Sequence, residues 1–259
     1  MSQMAVSLIL TTFNWPEALD LVLQSVVKQN LRPAQVIVTD DGSTVSTRFV
    51  IERYKQQLPI EVVWQPDSDF RAARARNLAI LRAKYDYIIF VDGDCLLPPN
   101  FIQNHLRLAH RGKIVAGSRA LISEQETDRL MQSDKEKSIG YLFASHKFIK
   151  LPLGALRDTR QRSWQTVRSC NFGIHQADIV KVKGFDEGYT GWGREDSDFV
   201  VRLIQAGVTV RSGRFAACVA HLHHRERSRD QLSSNDARFE RTLLGTEACL
   251  PLRSTVGEP

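Results

Sequence analysis

The first 120 residues alternate short apolar runs with amphipathic segments, and each of three such runs stops in acidic or turn-forming residues. Residues 6–10, 36–38 and 87–91 are β-branched and aromatic stretches too short to be helices. Uninterrupted runs of this kind are strands covered on both faces. Leu19, Val22, Leu23, Val26 and Val27 recur at helical spacing behind Pro16, which suits a first helical turn, with Asn14 or Trp15 as cap. A helix over 45–57, a strand over 60–64 and an arginine- and alanine-rich helix opening at 69–77 and running to Ala83 continue the series. Beyond Pro98 and Pro99, a helix to about His110 and a strand over 113–118 complete it. Strand–helix alternation with short links predicts an α/β fold, a mostly parallel sheet wound right-handedly and flanked by helices. Ligands of such sheets bind outside the carboxyl ends of the strands. Thr11, Thr12, Phe13 and Asn14, the stretch 40–43, and Asp92-Gly93-Asp94 all fall there.

The stretch Asp92-Gly93-Asp94 carries the most chemistry. With one residue between them, two carboxylates on an extended chain point to one side. They repel unless a positive charge sits between them, and a divalent cation such as Mg2+ or Mn2+ takes carboxylate oxygens while keeping positions open for phosphate. The plainer alternative is a solvated acidic turn.

At 259 residues with 42% hydrophobic content, the chain is long enough to bury a core. There is no apolar run of membrane-spanning length and no secretory leader pattern, so a cytoplasmic location is expected. Cys95, Cys170, Cys218 and Cys249 are far apart without a C-x-x-C pair, which argues against a zinc ribbon and a disulfide framework. The net charge of +6 points to acidic partners. Much of the basic excess lies in 71–82, 157–168 and 225–229, without the aromatic interleaving or zinc spacing of nucleic-acid modules, so nucleic acid is not an expected partner.

In the second half, 123–150 reads as a helical, partly exposed connection and 151–163 as a mobile, lid-like or acceptor-binding loop. A strand over 169–174, a short helix over 177–182 and a turn at 184–187 lead to Gly191-Trp192-Gly193-Arg194-Glu195-Asp196-Ser197-Asp198. Phe199, Val200, Leu203 and Ile204 follow at helical spacing, so three carboxylates crowd a helix start. Trp192 between two glycines is a flat ring suited to stacking on a ligand. The ordered part is expected to end with Cys218-Val219-Ala220-His221-Leu222-His223-His224. On an extended chain His221 and His223 share a face, so either is positioned to complete a site with the aspartates. Beyond Arg225 a polar tail is expected, with a short amphipathic helix around 239–244 and frayed residues 256–259.

Four segments, Leu8-Ile9-Leu10-Thr11-Thr12-Phe13-Asn14, Val38-Thr39-Asp40-Asp41-Gly42-Ser43, Arg74-Ala75-Arg76-Asn77 and Phe90-Val91-Asp92-Gly93-Asp94, resemble, in this order, glycosyltransferase family 2. These are inverting enzymes of the GT-A fold, a Rossmann-like sheet, that use nucleotide-diphosphate sugars. The stretch 184–203 is similar to the C-terminal module of galactosyl- and N-acetylgalactosaminyltransferases such as chondroitin polymerases. The resemblance implies one domain over 1–224, with a nucleotide-binding half in 1–120, a smaller acceptor-side half in 165–224 and a tail over 225–259. It also implies that Thr11, Thr12, Phe13, Asn14 and Asp40 line the nucleotide pocket with Arg71, Gly93 and Trp192. Arg76 approaches the uracil or diphosphate, and Asp92 the ribose. Asp94 then binds Mn2+ or Mg2+ with His221 or His223, Glu195 holds a sugar hydroxyl, and Asp196 is the catalytic base. The activity so implied moves a hexose or N-acetylhexosamine from a UDP-sugar to a glycan or glycolipid in bacterial surface-polysaccharide or lipopolysaccharide synthesis. A basic protein of this kind suits peripheral association with the inner membrane surface. The alternatives are a nucleotidyltransferase of related fold and a non-catalytic glycan-binding module.

Overall fold

The computed structural model of the protein describes residues 4–144, 163–225, 228–246 and 249. The apolar runs are strands and the amphipathic segments helices: β1 (Val6–Thr12), α1 (Pro16–Val27), β2 (Gln35–Asp40), α2 (Val45–Tyr54), β3 (Ile60–Trp64), α3 (Ala72–Arg82) and β4 (Tyr87–Asp92). A short β5 (Cys95–Leu96), α4 (Phe101–Leu108), β6 (Lys113–Ala116), β7 (Ser118–Leu121), α5 (Glu124–Gln132) and α6 (Lys135–Ala144) follow. The second half contains β8 (Asn171–His175), α7 (Gln176–Lys181), α8 (Glu195–Gln205), β9 (Thr209–Ser212), β10 (Cys218–His221) and α9 (Leu232–Leu243). Most of the lid-like segment expected over 151–163, and the terminus 256–259, lie outside the described residues.

Among the described residues, seven strands form one sheet in the order β3-β2-β1-β4-β8-β6-β9. Its first four strands are parallel, and β8 runs antiparallel between β4 and β6. The mostly parallel sheet is as expected from the alternation. Its two faces follow the period of two along each strand. Leu8, Leu10, Val36 and Val38 pack with Leu19, Leu23 and Val26 of α1. Their neighbours Ile9, Ile37 and Phe90 point the other way, into a core with Ala73 of α3 and Phe199 of α8. Phe185 stacks on Phe199 with centroids 4.2 Å apart, which ties the turn before α8 to that core.

A second sheet, β5-β10-β7, was not legible in the sequence. The expected strand over 113–118 breaks at Gly117, where a Cβ would lie 2.2 Å from the Asn171 side chain. The Asn171 amide donates to Ser118 O at 2.9 Å and Ala217 O at 2.8 Å, holding the small sheet against β8. Strands of two to four residues carry too little pattern to be found from periodicity. The expected polar tail needs a larger correction. Residues 232–243 form a full helix that lies against α8, with Asn235, Phe239 and Thr242 buried. No helix among the described residues is long and apolar enough to cross a membrane.

Candidate active site

Parallel registry brings the polar strand ends to one edge. Thr12 lies opposite Asp40, and Thr11 opposite Asp92, so the carboxyl ends of β1, β2 and β4 finish side by side. The loops leaving β1 and β2 are tied together: Ser43 Oγ accepts from the Asn14 amide, and Asn14 Oδ1 accepts from the Thr44 amide, both at 2.8 Å. Of the two caps the sequence offered, Trp15 rather than Asn14 stands at the start of α1. The φ of 45° at Asn14 turns its side chain toward the neighbouring loop, and α1 starts from Trp15 without a side-chain cap.

Asp40 is buried, accepts from the Ser43 amide at 2.9 Å, and its carboxyl is pushed up by burial against the pull of Ser43. Next to it Asp41 turns inward, accepting from the Arg71 amide at 2.9 Å and from the Gln65 side chain. That contact seats Arg71 at the start of α3 beside the strand ends, and its guanidinium donates to Pro66 O at 2.5 Å. Phe13 is half-buried, with Thr12 buried behind it.

Gly93 is required by proximity. Its amide donates to Thr11 O at 2.7 Å, and an added Cβ would lie 2.9 Å from that oxygen and 3.1 Å from Thr12 Cβ. The close crossing leaves Asp92 and Asp94 on either side of a backbone pinned to β1. Asp94 faces β10, whose last residue is His221, with Nε2 3.7 Å from Asp94 Oδ1. His224 Nε2 is 3.4 Å from Asp94 Oδ2. One ligand atom from each of the three lies within 4.8 Å of the others. His223 is not in this cluster. The strand stops at His221, Leu222 donates its amide to Asp94 O at 3.0 Å, and the His223 amide is drawn to Thr127 Oγ1 at 2.9 Å. Side-chain alternation fails at that turn, and the ring that reaches Asp94 is three residues on. Trp15 meets the His224 ring edge-on at 6.0 Å. One carboxylate with two imidazoles fits a Mn2+-like cation, which accepts oxygen and nitrogen donors.

The acidic pair at the start of α8 reaches the same edge through Arg76. This arginine is almost fully buried in α3. Its Nη1 donates to Glu195 Oε1 at 3.1 Å, and its Nη2 to Asp92 Oδ1 at 3.3 Å. Asp92 and Glu195, far apart in the sequence, are thereby joined through one guanidinium. Burial opposes its charge, but Asp92, Glu195 and Asp196 outweigh that and hold it more firmly protonated than usual. The sequence assigned Arg76 to uracil or diphosphate. Both terminal nitrogens are occupied by carboxylates, and its Nε is buried without a hydrogen-bond partner. Burial, and then the neighbouring Asp196, push the Glu195 carboxyl up to about 7 against the attraction of Arg76. Asp92 is raised by burial and by Asp94, with Arg76 and His221 opposing.

Asp196 is half-buried, with one oxygen accepting from the Ser169 amide at 3.2 Å and the other from the Ser197 amide at 2.7 Å. These bonds aim a carboxylate from the first turn of α8. Ahead of it, Gly191 is held to Phe70 O at 2.9 Å, and Trp192 is exposed with the Arg229 guanidinium 5.0 Å over its ring. Asp92 and Asp94 at the end of β4, the acidic pair at α8, and His221 and His224 at the end of β10 thus lie around one sheet edge.

A Rossmann-like sheet with carboxylates and imidazoles gathered at its strand ends defines an α/β protein with a polar site at the carboxyl edge of its sheet. The solved structure of GalNAc-T7 with UDP, GalNAc and Mn2+ shares this fold at a TM-score of 0.66, with 15% identity, covering 92% of this chain and 48% of that one. The family model for glycosyl transferase family 2 matches residues 7–176, and the chain belongs to that family. A second model, the N-terminal domain of galactosyltransferase, matches 156–225. Validoxylamine A glucosyltransferase of Streptomyces hygroscopicus subsp. limoneus is 28% identical over 256 residues, covering 91% of this chain and 56% of the relative. Chondroitin synthase of Pasteurella multocida (strain Pm70) is 27% identical, covering 79% of this chain and 23% of the relative. The chain thus spans little more than half of the first relative and about a quarter of the second. The GT-A fold and both parts of the expected family resemblance agree with these matches.

Proposed function

We propose that the protein is a metal-dependent inverting glycosyltransferase that moves a hexose or N-acetylhexosamine from a UDP-sugar onto a glycan or glycolipid in surface-polysaccharide or lipopolysaccharide assembly. The observation that carries this reading is the Arg76 bridge, because it brings the Asp92–Asp94 end of the nucleotide half against the Glu195–Asp196 pair. Family membership and relatives named for sugar transfer and polysaccharide synthesis support the reaction class.

In this reading Asp94, His221 and His224 hold a divalent cation. When bound, it supplies Lewis-acid stabilisation of the departing diphosphate. The nucleotide lies along the ends of β1 and β2, with Asp40 facing the base and Asp92 near the ribose. Asp196 takes the proton of the acceptor hydroxyl as its oxygen bonds to the anomeric carbon from the face opposite the diphosphate. The sugar–phosphate bond breaks in the same displacement, and the configuration inverts. Glu195, held by Arg76, orients a sugar hydroxyl, and Trp192 offers a stacking face. The net charge of +6 suits an acidic or membrane-borne acceptor.

The test is Asp196→Asn, with product formation measured across UDP-glucose, UDP-galactose and their N-acetylamino forms, and UDP binding measured by calorimetry. Transfer is expected to vanish while UDP binding persists. Unchanged turnover would remove Asp196 as base, and pyrophosphate release from a nucleoside triphosphate would replace the reading with nucleotidyl transfer.

A further inference from the structure

The residues matched by the two family models end at 225, yet the helix beyond them grips the segment that carries the acidic pair. Arg194, the residue immediately before Glu195, sits at φ 77° and ψ −14° as the N-cap of α8. An L-residue with a side chain is disfavoured in this left-handed region. No side-chain cap bond holds it there. Its guanidinium reaches α9: Nε donates to Asp236 Oδ1 at 2.5 Å, and the group lies 5.4 Å over the Phe239 ring.

Neighbouring contacts run in the same direction. Asn235 Nδ2 donates to Thr190 O at 2.9 Å, and Arg238 Nε donates to Asp186 Oδ2 at 2.9 Å. Thr242 Oγ1 donates to Asp198 Oδ1 at 2.7 Å. A Cβ on Gly193 would come within 3.0 Å of Leu232, so α9 also covers the backbone just ahead of Arg194. Together these contacts fix both sides of the turn from which Glu195 and Asp196 project.

We propose that α9 is a clamp for the acidic pair and that Asp236 is a positioning residue, acting through Arg194 to hold the left-handed start of α8 and so the aim of both carboxylates. This rests on the proposed function for its effect on turnover. The geometric part stands without it. An Arg194 released from Asp236 relaxes toward negative φ, which rotates the first turn of α8 relative to Arg76. A small misplacement of this kind slows a displacement reaction without touching the donor site.

The experiment uses the full chain with Asp236→Ala, alone and combined with Arg194→Gly. It measures transfer kinetics, UDP affinity, and hydrogen exchange at the amides of 193–198. In Asp236→Ala, kcat is expected to fall by about tenfold or more, with UDP affinity unchanged and exchange accelerated only at 193–198. Arg194→Gly in that background is expected to recover most of the loss, because glycine adopts a φ near 77° without an anchor. Wild-type kcat and exchange in Asp236→Ala, a double variant as slow as the single one, or faster exchange across α1 to α4 as well would each overturn the clamp. If the wild-type chain transfers no sugar, the function reading fails, and local exchange at 193–198 still decides for or against the clamp.

Discussion

Replacing Glu195 with glutamine tests the electrostatic description of the site with a number. The Glu195 carboxyl titrates at about 7 in the folded protein against an ordinary value of 4.5. Between these values the folded state binds a proton that the unfolded chain has already released. Stability contributed by this group is therefore complete below pH 4.5 and is lost as pH rises through 7. At about 1.4 kcal/mol per pH unit, the loss across the window is on the order of 3 kcal/mol. Glu195→Gln keeps the shape and an acceptor oxygen for Arg76 but has nothing to titrate. Urea unfolding of both proteins in chelator, at half-unit steps from pH 4 to 8, should give difference curves in which the variant gains on the wild type by about that amount. Titratable groups far from Glu195 are common to both proteins and cancel in the difference. Parallel stability profiles across the window would refute the argument that burial and Asp196 outweigh Arg76 at this carboxyl.

The choice among histidines is tested by comparing His224→Ala with His223→Ala: the first should weaken Mn2+-supported UDP binding by at least about tenfold, on the scale of a disturbed metal environment, and the second should leave calorimetric affinity unchanged. Gly93→Ala places a methyl against Thr11 O and Thr12 Cβ, at 2.9 and 3.1 Å, and should lower stability in denaturant by about 1–3 kcal/mol; an unchanged midpoint would mean that the crossing yields easily. Phe185→Ala removes the ring stacked on Phe199 and lying 5.6 Å from the Arg76 guanidinium, and a cost of about 3–5 kcal/mol in chemical unfolding is expected.

The first half of the chain was largely readable because its information is local. The runs at 6–10, 36–38 and 87–91 declare strands by composition, and the alternation with helices leaves few topologies, so the clustering of Thr11, Asp40 and Asp92 at one edge followed. The stretch 191–198 could likewise be marked from its acids and glycines alone. Three features were not readable from local pattern, each for a different reason. His224 displaces His223 because β10 ends one residue after Ala220, and a turn cancels the alternation on which the choice depended. The stretch 232–243 has a polar sequence that looks like a solvated tail, and its few buried positions acquire meaning only against α8. Arg76 shows nothing in its neighbourhood of sequence that says which carboxylates it will meet.

What the chain's order of residues determined by itself was the fold class, the family and the identity of most chemical groups at the edge, since periodicity and turn chemistry act over a few residues. Tertiary structure alone decided which groups share an environment. Arg76 between Asp92 and Glu195, Asp94 beside His221 and His224, and Arg194 against Asp236 are pairings across 16 to 130 positions, set by how the elements pack rather than by neighbours in sequence.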